Sequence, residues 1–177
     1  NNMEFGKIEA GEIDQIDFTL PPDKEETTEL LAKNKRPEGK TDVFVGCAKW
    51  GRKDWVGKIY PPKTKEADFL NLYSHHFNCI ELNASFYRMP SSRQTSGWAS
   101  KVGDRFLFCP KFSNAITHIH RLKEVQEATE RFLKGIAGFG DKLGAAFLMP
   151  HPGMGPQTLE RIETFIQSLP KELAVYI

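Results

Sequence analysis

The chain is short of the features that usually place a protein quickly. Its 177 residues hold three cysteines, Cys47, Cys79 and Cys109, an odd and widely spaced set. That spacing argues against a disulfide framework or a zinc knuckle, and the three read as small residues filling a core. Excess charge of one sign is also missing, because 24 basic and 23 acidic side chains leave a net charge of +1. Nothing electrostatic therefore favours extended nucleic acid or an anionic membrane as a partner. No apolar run approaches the roughly 20 residues of a bilayer span. The polar, acidic start lacks a signal-peptide layout, so the expected setting is cytoplasmic. Gly153-Met154-Gly155 lacks the spacing of a phosphate loop, and there is no Gly-x-Ser-x-Gly elbow.

What is present is an ordinary globular composition, 40% hydrophobic and 27% charged, on a chain long enough for one domain with a real core. Residues 1–41 carry many charges and few aromatics, punctuated by Pro21-Pro22 and Pro37-Glu38-Gly39. They read as an N-terminal extension, with Asp23 and Glu26 forming a capping box for a short helix to about Lys33.

From Asp42 onward the hydrophobic period alternates. Strands are expected over 43–48, 79–83, 105–111, 144–149 and 173–177. Helices are expected over 67–77, 92–101, 122–138 and 158–169. Phe69, Leu70, Tyr73 and Phe77 share a face of the first helix, and Trp98 anchors the second. Val125, Ala128, Phe132 and Ile136 do the same for the third, while Pro156 starts the last and Leu159, Ile162 and Ile166 point inward. Four strand–helix–strand repeats mean an α/β fold with a parallel sheet. Two architectures fit: a five-stranded doubly wound parallel sheet, which suits the length, or the first part of an eight-stranded barrel, which needs about 250 residues.

Both architectures put function at the carboxyl ends of the strands. The expected strands deliver Lys49 and Trp50, then Glu81, Asn83, Tyr87 and Arg88, then Lys111, then Met149 and His151. The stretch Asn78 to Arg88 is the richest, because Ile80 and Leu82 alternate with Glu81 and Asn83, and ionisable groups on a buried strand are costly unless paired or used. Glu81 is the candidate general base or metal ligand; the alternative is a buried ion pair with Lys111 or Arg88. Lys111 is the candidate for stabilising developing negative charge. Asn83, Tyr87 and Arg88 are candidate substrate contacts, as are His118 in the loop after the third strand and Trp50 as a stacking platform. No metal site is expected, since His118-Ile119-His120 has the spacing of a ligand pair but no carboxylate cluster. His75 and His76 read as helix-surface residues, and Trp55 as part of a satellite core under its loop. No particular cofactor is implied. The ligand expected is small and polar or anionic, and nothing in the sequence sets the oligomeric state.

Several motifs together resemble a known family. They are Val45-Gly46-Cys47-Ala48-Lys49-Trp50, Asp54-Trp55, Tyr60-Pro61, Glu81-Leu82-Asn83, Phe86-Tyr87-Arg88-Met89-Pro90, Phe106 to Phe112 and Ile116-Thr117-His118. They resemble the DUF72 (YecE-like) family from about Asp42 to the C-terminus, and the Asp17 to Pro22 stretch looks like that of its Bacteroidetes branch. The resemblance implies a TIM-like (β/α) barrel of which 42–177 holds the first four to five β/α units, truncated after the fifth strand. It implies no established activity. Two departures from the family's pattern stand out: Met149-Pro150-His151-Pro152 replaces a Gln-Leu-Pro-Pro run, and Tyr176 stands near where a glutamate would fall. The expected function is thus an enzyme acting on a small polar, phosphorylated or sugar-like substrate at the rim. The alternative is a non-catalytic binding module for a nucleotide, phosphate or nucleic-acid end. A partial barrel leaves a strand edge open, so poor folding in isolation is also expected.

Overall fold

The computed structural model describes residues 11–12, 15–17, 19, 21–33 and 42–177. The chain divides into two units at Thr41. In the first, helix α1 runs Glu25–Lys33 with acidic residues in its first turn and Lys33 in its last, the arrangement that complements the helix dipole. None of its residues is buried.

The second unit holds β1 (Cys79–Leu82), β2 (Leu107–Pro110), β3 (Ala146–Phe147) and β4 (Val175–Tyr176). Between them run α2 (Phe69–Tyr73) before β1, α3 (Ala84–Tyr87) and α4 (Ser92–Ala99) before β2, α5 (Gln126–Ile136) before β3, and α6 (Leu159–Gln167) before β4. The β1–β2 and β3–β4 pairs are both parallel. Bridges Phe108–Leu143 and Lys111–Phe147 tie the two pairs together. Neighbours therefore follow chain order, without the reversal of order that a doubly wound sheet requires.

One side of this sheet is sealed. Ile80, Leu82 and Phe108 are at most 2% exposed, and Phe108 stacks on Phe139 at 4.4 Å between ring centroids. Tyr73, Phe69 and Tyr60 continue the aromatic layer. Each such side chain contributes roughly 1.5–3 kcal/mol by leaving water. Where α5 ends, Gly135 and Gly138 allow a close crossing with α4. A Cβ at Gly135 would meet the Pro90 carbonyl, and one at Gly138 would meet Thr95 and Ser92. Thr95 Oγ1 donates to the Gly135 carbonyl at 2.7 Å, so the crossing is hydrogen-bonded as well as tight. At the far end of α4, Lys142 Nζ donates to the carbonyls of Ala99 and Val102, taking up acceptors the helix leaves open.

Several sequence expectations are corrected. Residues 43–48 form no regular strand. The Asn78 side chain takes the Val45 N–H and donates to the Val43 carbonyl, while the Tyr73 hydroxyl takes the Cys47 N–H at 2.6 Å. Side chains thus occupy groups a ladder would have used, and only the Asn78 N–H to Val45 carbonyl bond remains between the backbones. Strand β1 ends at Leu82, because Asn83 already has helical angles and opens α3. The third expected helix starts at Gln126 and not at Leu122. Arg121, Leu122 and Glu124 have left-handed φ values of 48°, 62° and 52°, which no α-helix accepts. Leu122 is 6% exposed, so its burial fixes the turn. The expected loop at His118 is a π-helical turn, Ala115–Ile119. Leu159 is 56% exposed, whereas Ile162 and Ile166 pack against the core as expected, joined by buried Phe165 on α6 and by Leu169 just beyond it. The three cysteines are half-buried free thiols, not fully buried core. Trp55, by contrast, sits among Tyr60, Tyr73 and Phe77, as the satellite-core reading expects.

Candidate functional site

The second side of the sheet is the open one. Alternation along β1 and β2 puts Cys79, Glu81, Leu107 and Cys109 on it, all half-buried, and register pairs Glu81 with Cys109. Lys111 continues this side one step beyond β2, opposite Phe147. Burial pushes the Cys109 thiol up to about 11, with Cys79 and Glu81 adding to the rise. Burial raises the Cys79 thiol too. Both are therefore protonated at neutral pH, which disfavours them as nucleophiles.

Among the described residues Glu81 makes no ion pair, with Lys111, Arg88 or any other cation. The purely structural alternative for Glu81 thus lacks its partner.

Lys111 is held by its backbone. Ser85, 1% exposed, accepts the Lys111 N–H at 2.9 Å, and its hydroxyl lies 2.7 Å from the carbonyls of both Lys111 and Leu82. The start of α3 is thereby clamped to the ends of β1 and β2. The Lys111 ammonium lies over the Phe86 ring, 5.1 Å from its centroid. Phe86 meets His118 edge-on at 4.9 Å, and His118 meets His151 edge-on at 5.3 Å. Lys111, His118 and His151 therefore form one cluster beyond the carboxyl ends of β2 and β3.

The two imidazoles have opposite hydrogen-bonding duties. Thr117 Oγ1 lies 3.2 Å from the Ser113 carbonyl and 2.9 Å from His118 Nδ1. Because a carbonyl can only accept, we assign the threonine proton to Ser113, and on that assignment the oxygen accepts from His118 Nδ1–H. The Nε2 of neutral His118 is then an unprotonated base. His151 Nδ1 instead accepts the Gly153 N–H at 2.9 Å, which leaves the proton of neutral His151 on Nε2. Burial first, then His151 and Lys111, hold His118 below its ordinary value of 6.5, so it is neutral at pH 7.

The remaining predicted residues go elsewhere. Trp50 packs edge-on against Trp98 at 5.4 Å, which occupies part of its surface. It lines a groove of about 420 Å³ with Asn83, Tyr87, Lys49 and the buried Ile80 and Leu82. Arg88 lines a different cleft, of about 590 Å³, with Arg131 and Lys134. Tyr87 borders both. Sequence reasoning placed His151 at the rim without giving it a role, and missed Ser85 as a positioning residue. His151 carried a signal, since it interrupts the expected Gln-Leu-Pro-Pro run; Ser85 carried none. No group of three or more metal-ligating side chains occurs among the described residues, nor is any described helix long and apolar enough to cross a membrane.

Comparison with known proteins follows the same part of the chain. A family described as "Protein of unknown function DUF72" matches residues 44–177. The UPF0759 protein YecE of Escherichia coli is 28% identical over 130 residues, covering 73% of this chain and 45% of that protein. The UPF0759 protein YunF of Bacillus subtilis is 36% identical over 75 residues, covering 42% of this chain and 26% of that protein. Among solved structures, a DUF72 family protein from Thermotoga maritima superimposes with a TM-score of 0.62 at 28% identity, covering 75% of this chain and 54% of that one. One from Enterococcus faecalis, at 19% identity and a TM-score of 0.59, shares the fold over 75% of this chain and 48% of its own. The chain thus spans about half the length or less of the relatives it matches.

Proposed function

The chain belongs to the DUF72 family, whose function is unknown, and we propose that residues 42–177 form the first part of a TIM-like (β/α) barrel with an acid–base site at its carboxyl-end rim. In-order parallel neighbours support the barrel reading, because each β/α unit of such a barrel is laid beside the previous one. The site acts on a small polar or anionic substrate. His118 Nε2 accepts a proton, His151 Nε2–H donates one, and Lys111 stabilises negative charge as it develops. Glu81 faces the same opening as a second base. Asn83, Tyr87 and Trp50 border the neighbouring groove and orient the rest of the substrate.

The observation that carries this reading is the contiguous run of Lys111, Phe86, His118 and His151, with opposite hydrogen bonds on the two imidazoles. Hydrogen bonds alone distinguish the rings, and a complementary base and acid at one rim is what general acid–base catalysis needs.

Long-range proton–nitrogen NMR of the imidazoles tests it directly. We expect His118 protonated on Nδ1 and His151 on Nε2 at pH 7, and the same tautomer on both rings would remove the base–acid pair. A panel of sugar phosphates and nucleotides then tests turnover. Loss of product in both His118→Gln and Glu81→Gln, with the fold intact, supports the enzyme reading. Binding without product anywhere in the panel favours the non-catalytic binding module.

A further inference from the structure

The cleft that takes Arg88 away from the acid–base cluster lies between the start of α4 and the middle of α5. Its volume is about 590 Å³, and its walls include Tyr87, Arg88, Ser92, Asn114, Arg131 and Lys134. That is a size typical of small-ligand sites. No carboxylate lines it.

The cations in it are uncompensated. Glu127 and Glu130 precede Arg131 and Lys134 by four residues on α5, the order and spacing in which ion pairs stabilise a helix. Neither pair forms, and among the described residues none of Arg88, Arg131 and Lys134 has a carboxylate within ion-pair distance. Arg131 Nε turns instead to Met89 Sδ, at 3.4 Å, a weak acceptor on the cleft wall. By contrast, Arg52, Lys53 and Arg105 all hold carboxylates at 2.7–2.8 Å. The neutral groups follow the same rule. The Ser92 hydroxyl and the Asn114 amide have no partner among the described residues. At the start of α4 the N-cap Ser91 takes the Gln94 N–H, while the N–H groups of Ser92 and Arg93 have no intrahelical acceptor. The cleft's cations, the Ser92 hydroxyl and the Asn114 amide thus lack strong acceptors among the described residues.

We propose that this cleft is a phosphate-binding site that takes the phosphoryl group of a small phosphorylated molecule. A phosphoryl group is acceptor-only and dianionic, and guanidinium groups match its oxygens in pairs. Tyr87, 76% exposed at the mouth, offers a ring face for a flat substituent carried by that phosphate. The site stands on the cleft's own residues and does not require the acid–base chemistry at His118 and His151.

Titration of the full-length protein with inorganic phosphate, adenosine monophosphate and adenosine, followed by amide NMR, tests it. Saturable shifts around residues 88–92, 114–115 and 131–135 are expected with both phosphates, and none there with adenosine. Arg131→Met and Lys134→Met are surface changes without lost ion pairs, so both should fold, and each should weaken phosphate about tenfold, as loss of a charge-assisted hydrogen bond does. Lys134→Glu should abolish binding, and His118→Gln should leave it unchanged. Absence of saturation by about 10 mM phosphate, a range of very weak affinity, would overturn the proposal. So would shifts centred on Lys111 and His118, or affinity indifferent to the α5 substitutions. A 5′-phosphorylated oligonucleotide binding far more tightly than adenosine monophosphate would overturn the small-molecule assignment in favour of a nucleic-acid end.

Discussion

The two sides of the parallel sheet are made from the same strands, residue by alternate residue, and they are built on opposite principles. One side offers Ile80, Leu82 and Phe108 to a layer of aromatic rings and leaves none of the three more than 2% exposed. The other offers Cys79, Glu81, Leu107 and Cys109 at intermediate exposure and leads to Lys111 and the histidines. A side that stabilises must be full, whereas a side that reacts must keep room and unspent charge. Glu81, with no ion pair among the described residues, is the clearest mark of the second kind.

The largest expected effect lies on the closed side. Phe108→Ala should cost about 3–5 kcal/mol in urea unfolding, while Cys109→Ala on the adjacent position should cost under about 1.5 kcal/mol. Equal costs would mean that both sides are core and would break the contrast. Ser85→Ala comes next, at about 1–3 kcal/mol, because it removes the closer acceptor of the half-buried Lys111 N–H and leaves that group only the long 3.4 Å bond to the Leu82 carbonyl. Glu81→Gln should change stability by no more than about 0.5 kcal/mol. A loss of about 3–5 kcal/mol would instead be the signature of a broken buried ion pair and would return Glu81 to a structural role.

The pH dependence sharpens the comparison. His118 is held below 6.5 in the folded state by burial, then by His151 and Lys111. The unfolded chain therefore binds the proton more readily in the window from 6.5 down to the folded value. Stability should be full above 6.5 and fall as pH drops through that window. His118→Gln should flatten this part of the urea-midpoint profile, and Lys111→Met should narrow it by removing one repulsive charge. A wild-type profile that is flat below 6.5 would contradict the lowering of His118 by burial. Another small effect concerns Thr129, whose buried hydroxyl has no partner among the described residues. Thr129→Val should be neutral or stabilising by up to about 1 kcal/mol in the same assay.

Much of the closed side was legible in the sequence. Phe69, Leu70 and Tyr73 fall at helical spacing and Ile80 and Leu82 at strand spacing, and all five are buried. The open side was legible as a list of residues but not as a set of partners. A buried ion pair of Glu81 with Lys111 or Arg88 was the alternative reading, and neither forms among the described residues. His118 was expected in a loop and sits in a π-helical turn, with its Nδ1 2.9 Å from Thr117 Oγ1. Arg88 and Lys111 were expected on one rim; only the fold shows Arg88 facing Arg131 and Lys134 instead. The failed strand at 43–48 has the same origin, because Asn78 and Tyr73 lie far along the chain from the backbone groups they take.

What the sequence determined by itself is therefore the periodic part: which residues leave water, in which order helices and strands follow, and which motifs mark DUF72. Hydrophobic periodicity is a local property, and a few neighbouring residues suffice to state it. The tertiary structure alone decided which polar groups meet. A hydrogen bond needs its two atoms within about 3 Å, and residues 85 and 111, like the clusters of 118 with 151 or 88 with 131, come together only once the strands lie side by side.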